Sequence, residues 1–253
     1  MKVKLICRPE LVYIDEMYSA KQDQLRGSSD APDLIEYAGR ICYDSLGIGR
    51  GSAGYHQHLI DVGHGSVLEH AQFTFLISGV SRGLTHELVR HRVGIAISQR
   101  STRYVDESTS DIVEHPLCTA ALADLPTREF ADLTSQMTYC KNQNRDLYIK
   151  INETVKAYLE KKGVDKATAK KQARGAARQY LENGLETELV WSANVRSLRH
   201  IINMRGSEHA DAEIRTLAVA LFKIMRRDCP EYFSDGIIGE CKDGTESVSI
   251  KPI

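Results

Sequence analysis

The chain has 253 residues, of which 42% are hydrophobic and 26% charged, and its formal net charge is −1 at pH 7. That length can bury a full core within a single domain, residues 1–253, and near-neutrality gives no global reason to expect nucleic acid or an anionic membrane as a partner. Apolar runs fall short of the ~18 residues that span a bilayer. Six scattered cysteines without a CxxC pair and an opening Met-Lys-Val-Lys-Leu without an apolar leader predict a reduced, cytoplasmic protein.

Val3, Leu5 and Cys7 alternate with Lys2 and Lys4, the period of a strand with one wet face. Asp33 to Tyr43 has a helical stripe in Ile35, Ala38 and Cys42. Gly49-Arg-Gly51-Ser-Ala-Gly54 matches the letters GxGxxG, but that motif cradles pyrophosphate only as a turn from a strand into a helix. Here a helical pattern precedes it, so it reads as a loop. Ala71 to Ile77 is aromatic and β-branched and reads as a strand. Val80, Leu84 and Leu88 recur four apart and predict a helix from about Ser81 that carries Arg90 and His91 in its last turn, where cations face the negative pole of the dipole.

Asp106 to Asp111 is polar and predicts an exposed loop. Helical patterns dominate from about Arg128 to Leu181, broken near Lys162-Gly163, and the Lys, Ala and Arg of residues 161–178 predict a solvated face. Asn194 to Gly206 places Leu198, Ile201 and Ile202 on a buried stripe and leaves Arg205 at a helix terminus. Ser207 is expected to cap the next helix, whose stripe is Ile214, Leu217, Ala218, Leu221, Phe222 and Met225. A short strand is expected at residues 248–250.

The chemistry concentrates in residues 81–104. Between Glu87 and Asp106 no acidic residue occurs, while Arg90, His91, Arg92, Arg100 and Arg103 are interleaved with Ser98, Ser101, Thr102 and Tyr104. A one-signed run rich in hydroxyls suits an anion, because guanidinium forks grip phosphate or carboxylate in pairs; a solvated basic face is the alternative. His86 and His91 stand five apart, roughly 140° around a helix, so they do not form the HExxH zinc pattern, and His56-x-His58 lacks companion ligands. No metal is expected.

Three segments together resemble the flavin-dependent thymidylate synthases over residues 35–225. They are Arg90-His91-Arg92 with Ser101-Thr-Arg103-Tyr104; Asn194-Val-Arg196-Ser-Leu, Met204-Arg205 and His209-Ala-Asp-Ala-Glu213-Ile; and His64-x-Ser66-x-x-Glu69-His70 before Phe73-Thr-Phe75. The resemblance implies an α/β (α+β) fold, helix-rich, with a mixed sheet flanked by long helices, and a cytoplasmic homotetramer that makes dTMP from dUMP. Methylenetetrahydrofolate would be the carbon donor, and NADPH would supply the hydride through FAD. Carried over by position, Ser66, Arg90, His91, Arg92, Gln99, Asn194, Val195, Arg196 and His200 would hold FAD. Glu87, Leu88, Val89, Arg90, Gln99, Arg100, Ser101, Thr102, Arg103, Arg178 and Arg205 would hold dUMP, with Arg205 activating the pyrimidine.

The family usually places seven residues between Arg-His-Arg and the serine. Here Arg100 fills the eighth position and Ser101 follows, so one extra residue stands in the segment. The reading from a different class is a non-catalytic nucleic-acid binder using residues 90–103; the neutral charge and the single tryptophan, Trp191, count against it.

Overall fold

A computed structural model describes residues 1–12 and 30–253. The chain forms two compact units: Met1–Ser78, His86–Ser98 and Leu189–Ile253 make the first, and Gly79–Thr85 with Gln99–Glu188 the second. Helices and small sheets alternate along it, the helix-rich α+β architecture that the sequence implies.

The first unit is organised on a four-stranded sheet in the order β1-β2-β4-β3, from strands β1 (Lys2–Cys7), β2 (Gln72–Ser81), β3 (Ile95–Gln99) and β4 (Glu186–Asn194). β1 runs antiparallel to β2, Lys2 opposite Ser78 and Leu5 opposite Phe75, with a register shift between Leu5 and Cys7. Along β2 the alternate residues Phe73, Phe75 and Ile77 are fully buried, and Leu189, Trp191 and Ala193 of β4 are buried in the same rhythm, as a two-residue side-chain period requires. Phe75 and Trp191 meet with ring centroids 5.9 Å apart. On the other face Thr74 and Ser192 share a hydrogen bond of 2.9 Å.

Helix α1 (Ala31–Cys42) and helix α2 (Ser52–Val62) are joined by a loop that holds only the first half of the glycine-rich passage; Ser52 to Gly54, expected as loop, form the first turn of α2. Arg40 reaches from α1 into the loop between them, donating to the carbonyls of Ile48 at 2.8 Å and Arg50 at 2.6 Å while Glu36 accepts from its Nε at 2.6 Å. The loop therefore turns carbonyls toward a cation, the opposite polarity from the N–H cradle that a pyrophosphate needs. A helix precedes it, as the pattern indicated.

Helix α3 (Arg82–Leu88) stops before the Arg90 and His91 that it was expected to carry. Arg90 and His91 lie in the turn beyond it, with Arg90 N on Glu87 O and His91 N on Leu88 O. The chain then passes Gly94 at φ 67° into β3, a strand that the basic composition of the segment had concealed.

The second unit centres on helix α5 (Thr127–Lys161), preceded by helix α4 (Pro116–Ala123) and followed by helix α6 (Lys166–Ala177). The break comes at Lys162 and Gly163, whose φ is 83°, and Asp165 caps α6 by accepting from Ala167 N and Thr168 N. One cation of the expected solvated face is not solvated: Arg174 is 8% exposed and donates to Tyr104 O at 2.5 Å and Asp106 Oδ2 at 3.0 Å.

Helix α7 (Val195–Arg205) and helix α8 (Ala212–Asp228) return to the first unit. Ile214, Leu217, Ala218, Leu221, Phe222 and Met225 are at most 1% exposed, as the stripe predicted. The cap of α8 is Asp211, whose Oδ1 accepts from Glu213 N, and not Ser207. Gly206 O is taken by Val248 N, and Ala210 N closes a turn on Ser207 O, so the chain is not yet helical at 207. The terminal segment forms an antiparallel hairpin of β5 (Ile237–Glu240) and β6 (Glu246–Ser249); β6 overlaps the expected strand, and β5 had no alternating pattern to announce it.

Candidate active site

The expected site residues fall into two groups, one in each unit. In the first unit the centre is Arg205, the last residue of α7. Its Nη1 donates to Glu87 Oε2 at 2.7 Å, its Nε to His91 Nε2 at 2.9 Å and its Nη2 to Glu87 O at 3.5 Å. A guanidinium has five N–H groups, so two remain uncommitted among the described residues, on a side chain 22% exposed. Because His91 accepts from Arg205, its Nε2 is bare. Burial, then the charge of Arg205, then His200 push its pKa down to about 4, and it is neutral at physiological pH. The rings of His91 and His200 meet edge to face with centroids 5.9 Å apart.

At the opposite end of α7, Asn194 is 6% exposed and accepts from Ser197 N at 2.9 Å, an N-cap. Its backbone N bonds Gly94 O at 3.1 Å, and Ser197 Oγ donates to Val93 O at 2.7 Å. The start of α7 is thereby fixed to the end of the Arg-His-Arg segment. Arg196 lies outside this clasp, exposed and paired with Glu69 Oε1 at 2.6 Å, and Ser66 is exposed in a short 3-10 turn, Gly65–Glu69. A helix N-terminus, an exposed arginine and a hydroxyl make a fitting seat for a diphosphate. Arg90 and Arg92 are exposed; Leu88 and Val195 are fully buried and have only backbone to offer a ligand, while Val89 is partly exposed.

In the second unit Gln99 leads the group, its Nε2 donating to Thr85 Oγ1 at 3.0 Å and Thr187 Oγ1 at 3.3 Å. Arg103 and Arg178 are exposed, Ser101 is half-buried, and Thr102 is 5% exposed. Arg100 points elsewhere: its Nη2 lies 3.3 Å from both Ser110 Oγ and Glu107 Oε2. Glu107 is 2% exposed, so Arg100 neutralises a buried carboxylate and braces the loop behind it. The extra residue of the segment has gone to a structural pair.

Arg82 is a member of this group that the sequence reading left out. Burial lowers its pKa from the ordinary value, Glu107 works against that, and the charge of Arg178 adds to it, so two guanidiniums share one region of the second unit. The signal was Arg82's place at the head of the 81–104 stretch; Glu87, five residues further on, balances its charge in the sequence.

The family model described as "Thymidylate synthase complementing protein" matches residues 24–231. A flavin-dependent thymidylate synthase of Mycolicibacterium gilvum is 39% identical over 260 residues, covering 100% of this chain and 96% of the relative. Those of Mycobacterium avium and Mycobacterium tuberculosis are each 42% identical, over 236 and 229 residues, covering 89% and 88% of this chain and 88% and 86% of the relatives.

Proposed function

The chain belongs to the thymidylate synthase complementing protein family, whose relatives are enzymes of flavin-dependent thymidylate synthesis, and we propose that it methylates dUMP reductively to dTMP. Methylenetetrahydrofolate is the carbon donor in this reading, and NADPH delivers the hydride through FAD. The observation that carries it is Arg205, charged, bonded to Glu87 and His91, and left with two N–H groups uncommitted among the described residues.

Methylation at carbon 5 of uracil needs electron density on that carbon. A guanidinium beside the ring's carbonyl stabilises the anionic form of the pyrimidine, and preorganised donors do this without a reorganisation cost at the moment of reaction. Arginine is suited because it stays charged. In the second unit, Arg103, Arg178 and Ser101 are proposed to take the dUMP phosphate, with Gln99 held for it by Thr85 and Thr187. Ser66, Arg196 and the N-terminus of α7 are proposed to hold FAD, with His91 and His200 offering ring faces. The flavin, when bound, supplies the hydride chemistry; the chain's own residues bind, orient and exclude water.

A homotetramer is part of the proposal. Phe130, Leu133, Tyr139 and Leu147 of α5 are between 38% and 65% exposed, more apolar surface than one helix normally leaves to water. Cytoplasmic location is also proposed; all six cysteines are free thiols. The match of one family model across residues 24–231, which draws on both units, supports a single functional domain. Nothing in the comparisons supports the nucleic-acid-binding alternative.

The test is reconstitution. Purified protein given FAD should acquire flavin absorbance, oxidise NADPH and form dTMP from dUMP and methylenetetrahydrofolate. A protein that stays colourless at saturating FAD overturns the reading.

A further inference from the structure

We infer that the last residues, 250–253, are a positioning element for Arg196, and that Ile253 forms one wall of the seat in which Arg196 meets an anionic cofactor. The inference rests on the reading of Arg196 and Ser66 as FAD residues. It concerns a part of the chain beyond residue 231, where the family model ends.

Helix α7 has two arginines in its first turns with opposite fates. Arg196 is exposed, whereas Arg199 has a side chain only 1% exposed. Arg199 makes a bidentate pair with Asp235 at 2.9 and 2.8 Å, and it donates to the backbone carbonyls of Tyr232 and Lys251, the latter at 2.5 Å. Positions three apart share a helix face, so the grip on Lys251 lays the tail along the face that bears Arg196. Upstream, Val248 and Ile250 are 1% and 4% exposed, and Val248 N is bonded to Gly206 O at 2.8 Å. Lys251 Nζ lies 3.8 Å from Asp61 Oδ1 on the far side. The Arg199 bond to Lys251 O, the burial of Val248 and Ile250 and the Val248–Gly206 bond hold the tail, and the exposed Lys251–Asp61 pair adds little.

Its end comes close to Gly65, beside Ser66 and Arg196 of the proposed FAD seat. A Cβ placed on Gly65, next to Ser66, would lie 3.0 Å from Arg196 Nε, 3.3 Å from Arg196 Cδ and 3.3 Å from Ile253 Cγ2. Arg196 and Ile253 thus both border the space beside Gly65, where a methyl group would be tight against each. An apolar wall against the stem of an arginine removes rotamers and excludes water beside the charge, and both effects strengthen its hold on an anion. Without the wall, Glu69 is the side chain among the described residues that orients Arg196, in an exposed pair worth little.

Four full-length proteins test this: the unsubstituted chain, Ile253→Val, Ile253→Asn and Ile253→Asp, each titrated with FAD by fluorescence quenching at low and high salt, with thermal midpoints recorded alongside. Val should keep the FAD dissociation constant within about twofold, Asn should raise it a few-fold, and Asp, by pairing with Arg196, should raise it about tenfold at low salt and less at high salt. Equal affinity in all four proteins overturns the inference while leaving the FAD reading intact. Equal weakening by Val and Asp, or weakening that tracks the thermal midpoint and ignores salt, also overturns it, because then the tail serves only stability. No FAD uptake by the unsubstituted chain sinks the cofactor reading itself.

Discussion

Glu87 Oε2 accepts from Arg205 Nη1 at 2.7 Å, and the same arginine reaches His91 through Nε at 2.9 Å. Two residues more than a hundred positions apart are joined across the turn that ends α3 and the terminus of α7. The arginine is oriented by a carboxylate that also reduces its net field, so removing either partner should have different consequences. Arg205→Ala removes the charge from the pyrimidine and should lower turnover roughly 30- to 1000-fold, about 2–4 kcal/mol, with FAD affinity nearly unchanged. Glu87→Gln keeps the shape and one hydrogen bond and should cost far less. Stopped-flow turnover with a parallel FAD titration checks both; equal loss of FAD affinity in Arg205→Ala shows the residue misassigned.

Acid should destabilise the protein before it denatures it outright. His91 has a pKa pushed down to about 4 by burial, Arg205 and His200. His56 is likewise lowered to about 4, by burial first, with Glu36 opposing and Arg40 adding; it sits with Nδ1 2.6 Å from Tyr232 Oη and Nε2 3.2 Å from Ser52 Oγ. Unfolded histidine takes up a proton near pH 6.5, whereas these two resist until about 4. The unfolded state therefore binds more protons between those values, and stability falls as pH falls through that window. Thermal midpoints from pH 7.5 to 4.5 should decline, and His56→Gln, less stable at pH 7.5, should show a shallower decline. A slope unchanged by His56→Gln would mean that the histidine does not contribute.

Where side-chain periodicity and burial coincide, the fold could be read from the residues: β2, α7 and the stripe of α8 lie where the pattern put them, whereas α1 forms but buries Ile35, Glu36, Gly39 and Arg40 and leaves Cys42 of its expected stripe exposed. The misses have different causes: β3 lay hidden in a basic segment, β5 lacked an alternating pattern, and at Ser207 a tertiary hydrogen bond overrode a local signal. Ser207 is a good cap by type, yet Gly206 O is spent on Val248, forty residues away, and the helix begins later at Asp211. The candidate site is a set of residue types proposed from the motifs, and which of them stay exposed and which turn inward could not be read from them. Nothing in the string of letters says that Arg100 would turn to Glu107 while Arg103 stayed exposed, or that Asn194 would spend its oxygen capping α7.

Gly94 is the hinge on which that clasp depends. Its φ is 67°, a region costly for any residue with a Cβ, and a Cβ there would overlap Asn194 and Ser197. Gly94→Ala should therefore destabilise the chain by about 2 kcal/mol or more and weaken FAD binding. Gly163, also at positive φ, has open space around the same position; Gly163→Ala should cost only the backbone term, about 1 kcal/mol. Chemical denaturation of the two variants compares clash plus strain with strain alone.

Arg100 and Arg103 should separate cleanly. Arg100→Ala leaves Glu107 buried beside Ser110 without its cation, and should cost about 1–3 kcal/mol of stability with a small effect on the KM for dUMP. Arg103→Ala, at an exposed position, should leave stability almost untouched and raise that KM at least tenfold, the worth of a lost charge-assisted hydrogen bond. The reverse pattern would show that the extra residue shifts the phosphate contact to Arg100.

Ser101 should not become covalently attached to dUMP. A serine attacks only when a neighbouring base can take its proton, and the second unit holds no imidazole apart from His115. That ring is engaged at the start of α4, where Nδ1 accepts from Leu117 N at 3.3 Å. The buried carboxylate Glu107 is held by Ser110 and Arg100. Arg100 and Arg103 flank the serine and stay protonated, so neither can serve as the base. Ser101 Oγ already accepts from Arg103 N at 3.3 Å, which orients the hydroxyl as a ligand for phosphate oxygen. Ser101→Ala should raise the KM for dUMP about three- to tenfold, the worth of one hydrogen bond, and retain measurable turnover at saturating dUMP. Rapid acid quench followed by mass spectrometry should find no protein-bound nucleotide. A dUMP adduct on Ser101, or complete inactivity of Ser101→Ala with normal dUMP binding, would mean that a base reaches the hydroxyl during turnover and that the serine is a nucleophile after all.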